Sequence, residues 1–464
     1  MTVRDLDRRP VPLKAVGLAL VCFFALSTLV LYMTLETIME DHEENHNLLS
    51  TSRDWQQKFF HPSSTSGSTN NGGSGSGTVV AALASKEAEL ERQMNQRANF
   101  EKQFPPDDLD RIQQAVAKLQ TKRLPTKDAA SMNYDIDNCP SNPPPGYPIQ
   151  WPLASKIIGD WNPDDTNVPN VIYDGICRFD WNKPDDQIKV ETYRQAEQPF
   201  VLMNHPEVMR TTERWNHPSY LQDLIGSSPI RNDFSKTNHQ MFWRLNPFQE
   251  KPKGWDPPTE TKKLSFEAWM KKAQEMETTT NNINHKDKEH WYFRLNAKLS
   301  GENEYIFKEL PMFHPRKQSM FMVDTENAPG INCRFGMKGV VAELHFDITR
   351  NWILVMGGQR RYILAHPNQC SYMELYKKDH PSARHSSVDW ANPPIHDPNR
   401  PFNKAMANEV VLQPGDALYL PTAWFHFIVS LNINYQCNAR SGITKENFHH
   451  LAACGFPGKE PKAK

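Results

Sequence analysis

The chain has 464 residues, enough for two or three domains of average size. Its 53 basic and 54 acidic residues nearly cancel, so no chain-wide charge favours nucleic acid, and we expect no nucleic-acid partner. Its 36 prolines against 21 glycines favour a loop-rich β protein over a helix bundle.

The seven cysteines are spread singly along the chain, and none stands in a Cys-x-x-Cys pair. Such pairs are typical of zinc knuckles and redox motifs, so the sequence predicts neither. By themselves the cysteines fix neither the compartment nor a disulfide pairing.

The first predicted element is a membrane helix at 15–35. This uncharged, apolar segment of 21 residues matches the roughly 20 that a helix needs to cross a bilayer. Basic residues precede it in 1–14 and acidic residues follow it from Glu36, so the positive-inside rule places the tail 1–14 in the cytoplasm. We therefore predict a single-pass type II membrane protein whose remaining chain is lumenal (ER or Golgi) or extracellular. A cleaved signal peptide is the alternative, although no small-x-small site follows the apolar run.

A flexible linker is predicted at 36–79 and a helical stem at 80–124. The linker contains a run of Ser, Gly, Thr and Asn at 61–78 that cannot pack into a core. The stem has two helix-forming stretches separated by a Pro-Pro pair, and Asp107 is the predicted cap of the second. The apolar stripe of that second helix consists of Leu109, Ile112, Val116 and Leu119. Two interpretations of the stem are open: a solvated spacer, or a self-association segment that would give a homodimer.

One large domain is predicted from 135 to 455, where short apolar runs alternate with Pro, Asn and Asp. In its first half, Tyr193–Leu202 has the pattern of a helix that leads into a buried strand. Helices are also predicted at Tyr220–Ile225 and Ser265–Met276, and a polar loop at 277–289.

Predicted strands become dense after residue 338. They are 339–344, Trp352–Met356, Arg360–Leu364, Ala417–Leu420 and a last strand at 433–440. In the last strand polar and apolar residues alternate. Its polar face carries Asn434, Gln436, Asn438 and Arg440. Short strands with one apolar and one polar face predict a jelly roll, so the fold class is mainly β with added helices, behind an N-terminal membrane helix and a helical stem.

His345 and Asp347 have the spacing of two metal ligands on one strand, because strand side chains alternate with period two. His426 follows later in a similar apolar setting. Two imidazoles and one carboxylate on one side of a metal leave the opposite positions open, which is typical of non-haem Fe(II) oxygenases. For His345 and Asp347 alone, a structural pair is the alternative.

Four motifs in a fixed order carry a resemblance to a known family. They are GMKGVVAELHFDITRNWILVMGGQRRYILAHP at 336–367, SSVDWANP at 386–393, VVLQPGDALYLPTAWFHFIVSLN at 410–432 and YQCNARSG at 435–442. This part of the chain resembles the jumonji-C (JmjC) group of cupin-fold oxygenases that depend on Fe(II) and 2-oxoglutarate. It is most similar to the small protein hydroxylases, such as the asparaginyl hydroxylase that inhibits hypoxia-inducible factor. A looser likeness extends back to about residue 171.

The resemblance implies a double-stranded β-helix, or cupin barrel, at 135–455. The implied iron ligands are His345, Asp347 and His426. The implied co-substrate residues are Asn351, Arg360 and Asn438. Arg360 stands where the family usually has a lysine, and an arginine can bind the distal carboxylate of 2-oxoglutarate through two parallel hydrogen bonds. A surface cation on an edge strand is the other interpretation of Arg360.

Ala342 departs from the family pattern. Many relatives have a threonine at this position, and its hydroxyl helps to hold the co-substrate. Alanine supplies no hydroxyl, and Tyr292 is a candidate for the missing donor.

The resemblance implies a dioxygenase that hydroxylates a protein side chain while 2-oxoglutarate is decarboxylated to succinate and CO2, and the predicted membrane helix at 15–35 would anchor this enzyme in a membrane. Two alternatives stay open. Ala342 and Arg360 favour a catalytically silent cupin that only binds a ligand. The type II membrane plan and Asp135-Ile136-Asp137 favour a glycosyltransferase, although that motif lies in an Asn/Pro-rich loop outside any βαβ pattern.

Overall fold

The structure is a computed structural model that describes residues 75–148, 151–245, 250–278, 288–299, 301–326 and 328–456. The predicted tail, the predicted membrane helix at 15–35 and most of the predicted linker lie outside these residues. Among the residues that are described, no helix is both long and apolar enough to cross a membrane. Residues from Val80 onward belong to one compact unit, which therefore includes the predicted stem as well as the predicted barrel.

The helices lie mostly in the first half of the chain. The α-helices are α1 Gly75–Gln103, α2 Leu109–Ala117, α3 Ala154–Asp160, α4 Pro184–Gln195, α5 Pro206–Trp215, α6 Tyr220–Ile225, α7 Phe266–Thr278, α8 Ile306–Glu309 and α9 Phe448–Ala452. Short 3-10 helices lie at Ala129–Ser131, Pro311–Phe313, Pro367–Tyr372 and Pro401–Lys404.

The strands fall into an early group and a late, dense group. The early strands are β1 Arg178–Asp180, β2 Phe200–Met203, β3 Ile230–Ser235, β4 His239–Gln240, β5 Glu260–Leu264 and β6 His290–Ala297. The late strands are β7 Ile331–Gly336, β8 Val341–Phe346, β9 Asn351–Gly357, β10 Arg360–Ala365, β11 Asn408–Leu412, β12 Ala417–Leu420, β13 Phe425–Ser430 and β14 Asn434–Arg440.

Two sheets face each other and form the predicted jelly roll. The larger sheet has the order β1-β2-β12-β9-β14-β7-β6-β3-β5, and the smaller one has the order β11-β10-β13-β8-β4. The eight strands β7 to β14 supply four neighbouring strands to each sheet, which is the double-stranded β-helix. Between the sheets lies an apolar cluster that includes Ile353, Leu364 and Ile428. The prediction of a mainly β fold with added helices is confirmed.

The last strand, β14, has two different faces, as its alternating sequence predicts. Cys437 and Ala439 are fully buried in the core on the outer side of the larger sheet, together with Trp352 and Trp215. The side chains of Gln436 and Asn438 instead make hydrogen bonds inside the barrel. The polar half of the alternation therefore lines the space between the sheets.

The helices of the predicted stem pack on the rest of the unit. Asp108, one residue after the predicted cap, caps α2, because its side chain accepts the backbone N–H of Arg111. Ile112 and Val116 are buried against Met209 of α5. The predicted stripe is only half buried, since Leu109 and Leu119 are exposed. Self-association of this segment stays a prediction.

Three disulfides cross-link the domain: Cys139–Cys177, Cys333–Cys437 and Cys370–Cys454. They include every cysteine of the chain except Cys22. The second disulfide joins residues that lie directly opposite each other on β7 and β14. The sequence did not predict these pairs, because each cysteine stands alone and finds its partner only through the fold.

Candidate metal centre

His345, Asp347 and His426 come together at one end of the barrel. His345 on β8 is directly opposite His426 on β13, and Asp347 follows the end of β8. One potential ligand atom from each residue lies within 4.8 Å of the other two. Within the described parts of the chain, this is the one group of three or more His, Cys, Asp or Glu side chains arranged to hold a metal ion.

Backbone carbonyl groups orient both imidazole rings. Nδ1 of His345 lies 2.7 Å from the carbonyl oxygen of Glu343, and Nδ1 of His426 lies 3.1 Å from that of Trp424. A carbonyl can only accept, so Nδ1 carries the proton in each ring and Nε2 keeps its lone pair for a metal. Burial lowers the pKa of both imidazoles, which keeps them neutral.

Asp347 is buried but stays ionised. Burial alone would raise its pKa, yet Arg440 and the neighbouring histidines outweigh that effect and hold the pKa below its ordinary value. Nη2 of Arg440 lies 2.7 Å from Oδ2 of Asp347, and Nη1 of Arg384 lies 3.5 Å from Oδ1. Neither arginine could be predicted from the sequence as a partner of the carboxylate, because no motif connects them.

The donor set fits Fe(II). It offers two neutral imidazoles and one carboxylate without a thiolate, and it leaves the far side of the ion open for other ligands. A structural zinc site is usually closed by four protein ligands. The residues therefore fit the iron centre that the sequence predicts, while their role as ligands stays a prediction.

His385 supports the site and was missed in the sequence. Its ring stacks on His345 with the centroids 5.0 Å apart, and it is buried. Burial lowers its pKa to about 4, and its Nδ1 lies 3.2 Å from the Ser382 carbonyl oxygen. His385 stands in an irregular segment, where no spacing distinguishes it from a surface histidine.

Asn351 and Asn438 form a hydrogen-bonded chain to the carboxylate. Nδ2 of Asn438 donates to Oδ1 of Asn351 over 2.9 Å, and Nδ2 of Asn351 lies 3.5 Å from Oδ2 of Asp347. Both asparagines are buried between the sheets. The structure therefore brings these two predicted co-substrate residues beside the candidate metal ligands.

Arg360 lies deeper in the barrel and is completely buried. Its strand, β10, is paired on one side with β11 and on the other with β13, so the interpretation of Arg360 as a surface cation on an edge strand is wrong. Nε donates to Asn434 and Nη1 donates to Gln436, whereas Nη2 has no hydrogen-bond partner among the described residues. A buried guanidinium nitrogen without a partner fits an acceptor on a ligand.

The buried side-chain amide of Gln240 is a neighbour of Ala342. Ala342 is paired with Gln240 of β4, so the two side chains project to the same face, and Ala342 packs on the cluster between the sheets. The Oε1 atom of Gln240 has no partner, and its Nε2 makes only a long contact of 3.4 Å to the His290 carbonyl. Tyr292, the predicted substitute donor, places its ring centroid 5.3 Å from the Arg360 guanidinium.

The Asp135 and Asp137 pair lies elsewhere and is occupied by local contacts. Asp135 accepts the backbone N–H of Asp137, and Asp137 pairs with Arg123 on the surface. Neither carboxylate belongs to the metal-ligand group described above.

Comparison with known proteins gives the family. A family model described as a cupin-like domain matches residues 185–444. The chain is 24% identical over 236 residues to tRNA wybutosine-synthesizing protein 5 of Gallus gallus, which covers 50% of this chain and 66% of that protein. It is 26% identical over 136 residues to lysine-specific demethylase JMJ31 of Arabidopsis thaliana, covering 27% of this chain and 24% of that one.

A further relative is Jumonji C domain-containing protein 5 of Drosophila melanogaster, with 32% identity over 109 residues, 23% of this chain and 26% of that protein. The chain thus spans between a quarter and two thirds of the length of these relatives. The family match extends from α4 to the residues beyond β14, so it contains the whole double-stranded β-helix. The family model matches the whole barrel, and the relatives include jumonji-C proteins. This chain is therefore a member of the cupin-like, JmjC family.

Proposed function

We propose that the protein is a membrane-anchored dioxygenase that uses Fe(II) and 2-oxoglutarate to hydroxylate a protein side chain. One observation carries this proposal: His345, Asp347 and His426 converge within 4.8 Å, with both imidazoles turned so that Nε2 is available. When bound, iron and 2-oxoglutarate would supply the oxidation of a substrate C–H bond by oxygen, coupled to loss of CO2 from the co-substrate.

The residues of this chain would hold the reactants and exclude water. His345, Asp347 and His426 would hold the ion, and the arginines beside Asp347 keep that carboxylate ionised. Arg360 would bind the distal carboxylate of 2-oxoglutarate through its unpartnered Nη2. The apolar cluster between the sheets would exclude water from this contact and so strengthen the charge–charge attraction.

Gln240 would replace the hydroxyl that Ala342 lacks. It lies beside Ala342 on the inner face, is buried, and has an amide that is poorly satisfied within the protein. A ligand carboxylate would satisfy that amide, since a buried amide without hydrogen bonds costs on the order of 1–3 kcal/mol. The departure at Ala342 is therefore compatible with an active enzyme, which disfavours the silent cupin.

The disulfides support a lumenal or extracellular location for the barrel. Three disulfides in one domain are typical of proteins that fold in an oxidising compartment, and they are rare in the cytosol. The apolar segment 15–35, with basic residues before it and acidic residues after it, gives the same orientation. We accordingly propose a type II protein with its barrel in the ER, in the Golgi or outside the cell.

Succinate production tests the proposal. Full-length protein is loaded with Fe(II) under nitrogen, mixed with 2-oxoglutarate and a library of candidate peptides, and exposed to oxygen. We expect oxygen-dependent succinate that disappears in His345→Ala and persists in His396→Ala, because His396 is an exposed histidine outside the metal-ligand group. Equal succinate from the wild type and from His345→Ala would refute the assignment.

A further inference from the structure

Two arginines lie directly opposite each other on the inner face of the larger sheet. Arg294 of β6 is paired with Arg334 of β7, and Arg334 is paired in turn with Gln436 of β14. Paired residues on neighbouring strands project to the same face. Gln436 contacts Arg360 inside the barrel, so both arginines lie on the face that continues outward from the co-substrate pocket.

The two arginines are not equally compensated. Nη1 of Arg294 lies 2.9 Å from Oδ1 of Asp233, which balances that charge. Nη1 of Arg334 donates to Oδ1 of Asn296 over 2.8 Å and to the Cys333 carbonyl over 2.9 Å, and both partners are neutral. Within the described ranges Arg334 forms no ion pair, although it is only partly exposed.

This arrangement is unfavourable without a further anion. Like charges directly opposite on a sheet destabilise the strand pair, and a buried charge without an opposite charge is costly. Burial, with a smaller effect of Arg294, lowers the pKa of Arg334 to about 9, and the nearby carboxylate of Asp233 offsets only part of this shift. A neutral side chain could make the contact to Asn296 equally well, so the hydrogen bonds alone do not explain why this position carries a cation.

The pair lies on the same face of the sheet as Arg440, which contacts a candidate metal ligand, and part of this face is exposed to solvent. Arg440 projects from the same face of β14, touches Asp347 through Nη2 and lies near enough for its charge to lower the pKa of Arg334. The Arg294 side chain is 19% exposed and that of Arg440 is 36% exposed, so a ligand can reach this face. Arg294, Arg334 and Arg440 therefore form a row of cations that leads from the surface towards the candidate metal ligands.

We infer that Arg334 and Arg294 bind an anionic group of the primary substrate, either a carboxylate or a phosphate, and so position the substrate beside the iron. The guanidinium fork suits the planar or tetrahedral oxygens of such groups. The inference rests on the proposed oxygenase function and adds the substrate class. An acidic or phosphorylated side chain near the hydroxylated residue would match it.

Relaxation by a paramagnetic ion tests this site without knowledge of the substrate. Full-length protein is loaded with Mn(II) under nitrogen, and its 2-oxoglutarate binding is first measured by calorimetry. With the co-substrate pocket saturated, inorganic phosphate is titrated and followed by 31P relaxation, and acetate is followed through its methyl protons. The nuclei of an anion held near the metal relax faster, and this effect saturates as the binding site fills.

We expect saturable relaxation for at least one anion, and a loss of affinity of about tenfold or more in Arg334→Gln. Arg334→Lys should retain part of the affinity. Lys263→Gln removes the same charge from β5, at the far end of the same sheet, and should leave it unchanged. A response to acetate alone identifies a carboxylate on the substrate, and a response to phosphate alone identifies a phosphoryl group.

Stability provides the second readout. Because Arg334→Gln removes an uncompensated charge, its unfolding temperature should equal or exceed that of the wild type. The inference is overturned if neither anion gives saturable relaxation, or if Arg334→Gln lowers the unfolding temperature but leaves anion binding intact. A protein that does not bind 2-oxoglutarate contradicts the proposed function instead, and the titrations are then run with Mn(II) alone.

Discussion

Nη1 of Arg360 donates a hydrogen bond of 2.6 Å to Oε1 of Gln436 across the interior of the barrel. The same amide oxygen accepts the hydroxyl of Tyr362, and Nε of Arg360 donates to Asn434. These contacts fix the guanidinium before any ligand arrives and leave Nη2 without a protein partner. The site is therefore preorganised for an anion, which lowers the entropic cost of binding.

Replacement of Arg360 should weaken co-substrate binding with little effect on metal binding. In Arg360→Met, we expect 2-oxoglutarate to bind at least about 30-fold more weakly, or about 2 kcal/mol, because the charged contact in a dry pocket is lost. Calorimetry on the Mn(II)-loaded protein measures this change. Arg360→Lys keeps the charge and should recover part of the affinity. Equal binding by Arg360→Met and the wild type would assign the carboxylate to another residue.

The role of Gln240 is tested by a rescue. Gln240→Leu should weaken 2-oxoglutarate binding by about tenfold, since one hydrogen bond to a charged group is lost. In the Gln240→Leu background, Ala342→Thr should restore much of the affinity. Residue 342 is paired with residue 240, so the new hydroxyl would project to the same face as the lost amide. These variants should change the Michaelis constant for 2-oxoglutarate more than they change the turnover number. If Ala342→Thr rescues nothing, Gln240 does not act at that position.

His239, a partly buried histidine on β4 beside β8, predicts a pH-dependent stability. Burial alone would lower the pKa of His239, but its contacts with Asp164 and Glu343 outweigh burial and raise the pKa to about 10. A folded-state pKa above the ordinary value of 6.5 means that the stabilisation is complete below pH 6.5 and is lost as the pH rises through 10.

His239→Gln should therefore destabilise the protein by about 2 kcal/mol at pH 6 and by much less near pH 10. Denaturant unfolding at the two pH values measures the difference. His396→Gln, at an exposed position, is the matched control and should show no such dependence. A constant effect of His239→Gln at both pH values would mean that His239 stabilises through packing and not through its charge.

The disulfides predict a thiol count and a stability. Protein purified without reductant and then unfolded should expose one free thiol, that of Cys22, because the other six cysteines are paired. Replacing both Cys333 and Cys437 by alanine should lower the free energy of unfolding by about 3–4 kcal/mol, since that disulfide closes a long loop. Seven free thiols in the protein from its native compartment would instead indicate a reducing environment.

Much of the barrel could be predicted because its late strands carry local signals. The Gly-Gly turn before Arg360 is one of them: Gly358 has φ +64°, and a Cβ there would lie 1.9 Å from the Ile433 carbonyl oxygen. The two-residue alternation of β14 is another: it predicted that Gln436 and Asn438 share one polar face, and in the structure that face lies inside the barrel.

The sequence could not predict a feature that depends on pairing between distant segments. It did not predict β11, so β10 could be taken for an edge strand and Arg360 for a surface cation. β6 alternates as well, with Trp291, Phe293 and Leu295 in the core and Arg294 and Asn296 on the polar face, yet this strand was not among those predicted from the sequence. The contact of His385 with His345, and the opposition of Arg294 and Arg334, exist only after strands far apart in the chain have paired.

The disulfide between Cys333 and Cys437 has a consequence for alignment as well as for stability. A strand that slips by one residue turns every side chain to the opposite face. In β14, such a slip would move Gln436 and Asn438 out of the barrel and separate Cys437 from its registered partner. The covalent bond therefore fixes the register: β14 cannot slide along β7 without breaking it, and the polar side chains of the candidate site stay aligned with the candidate metal ligands.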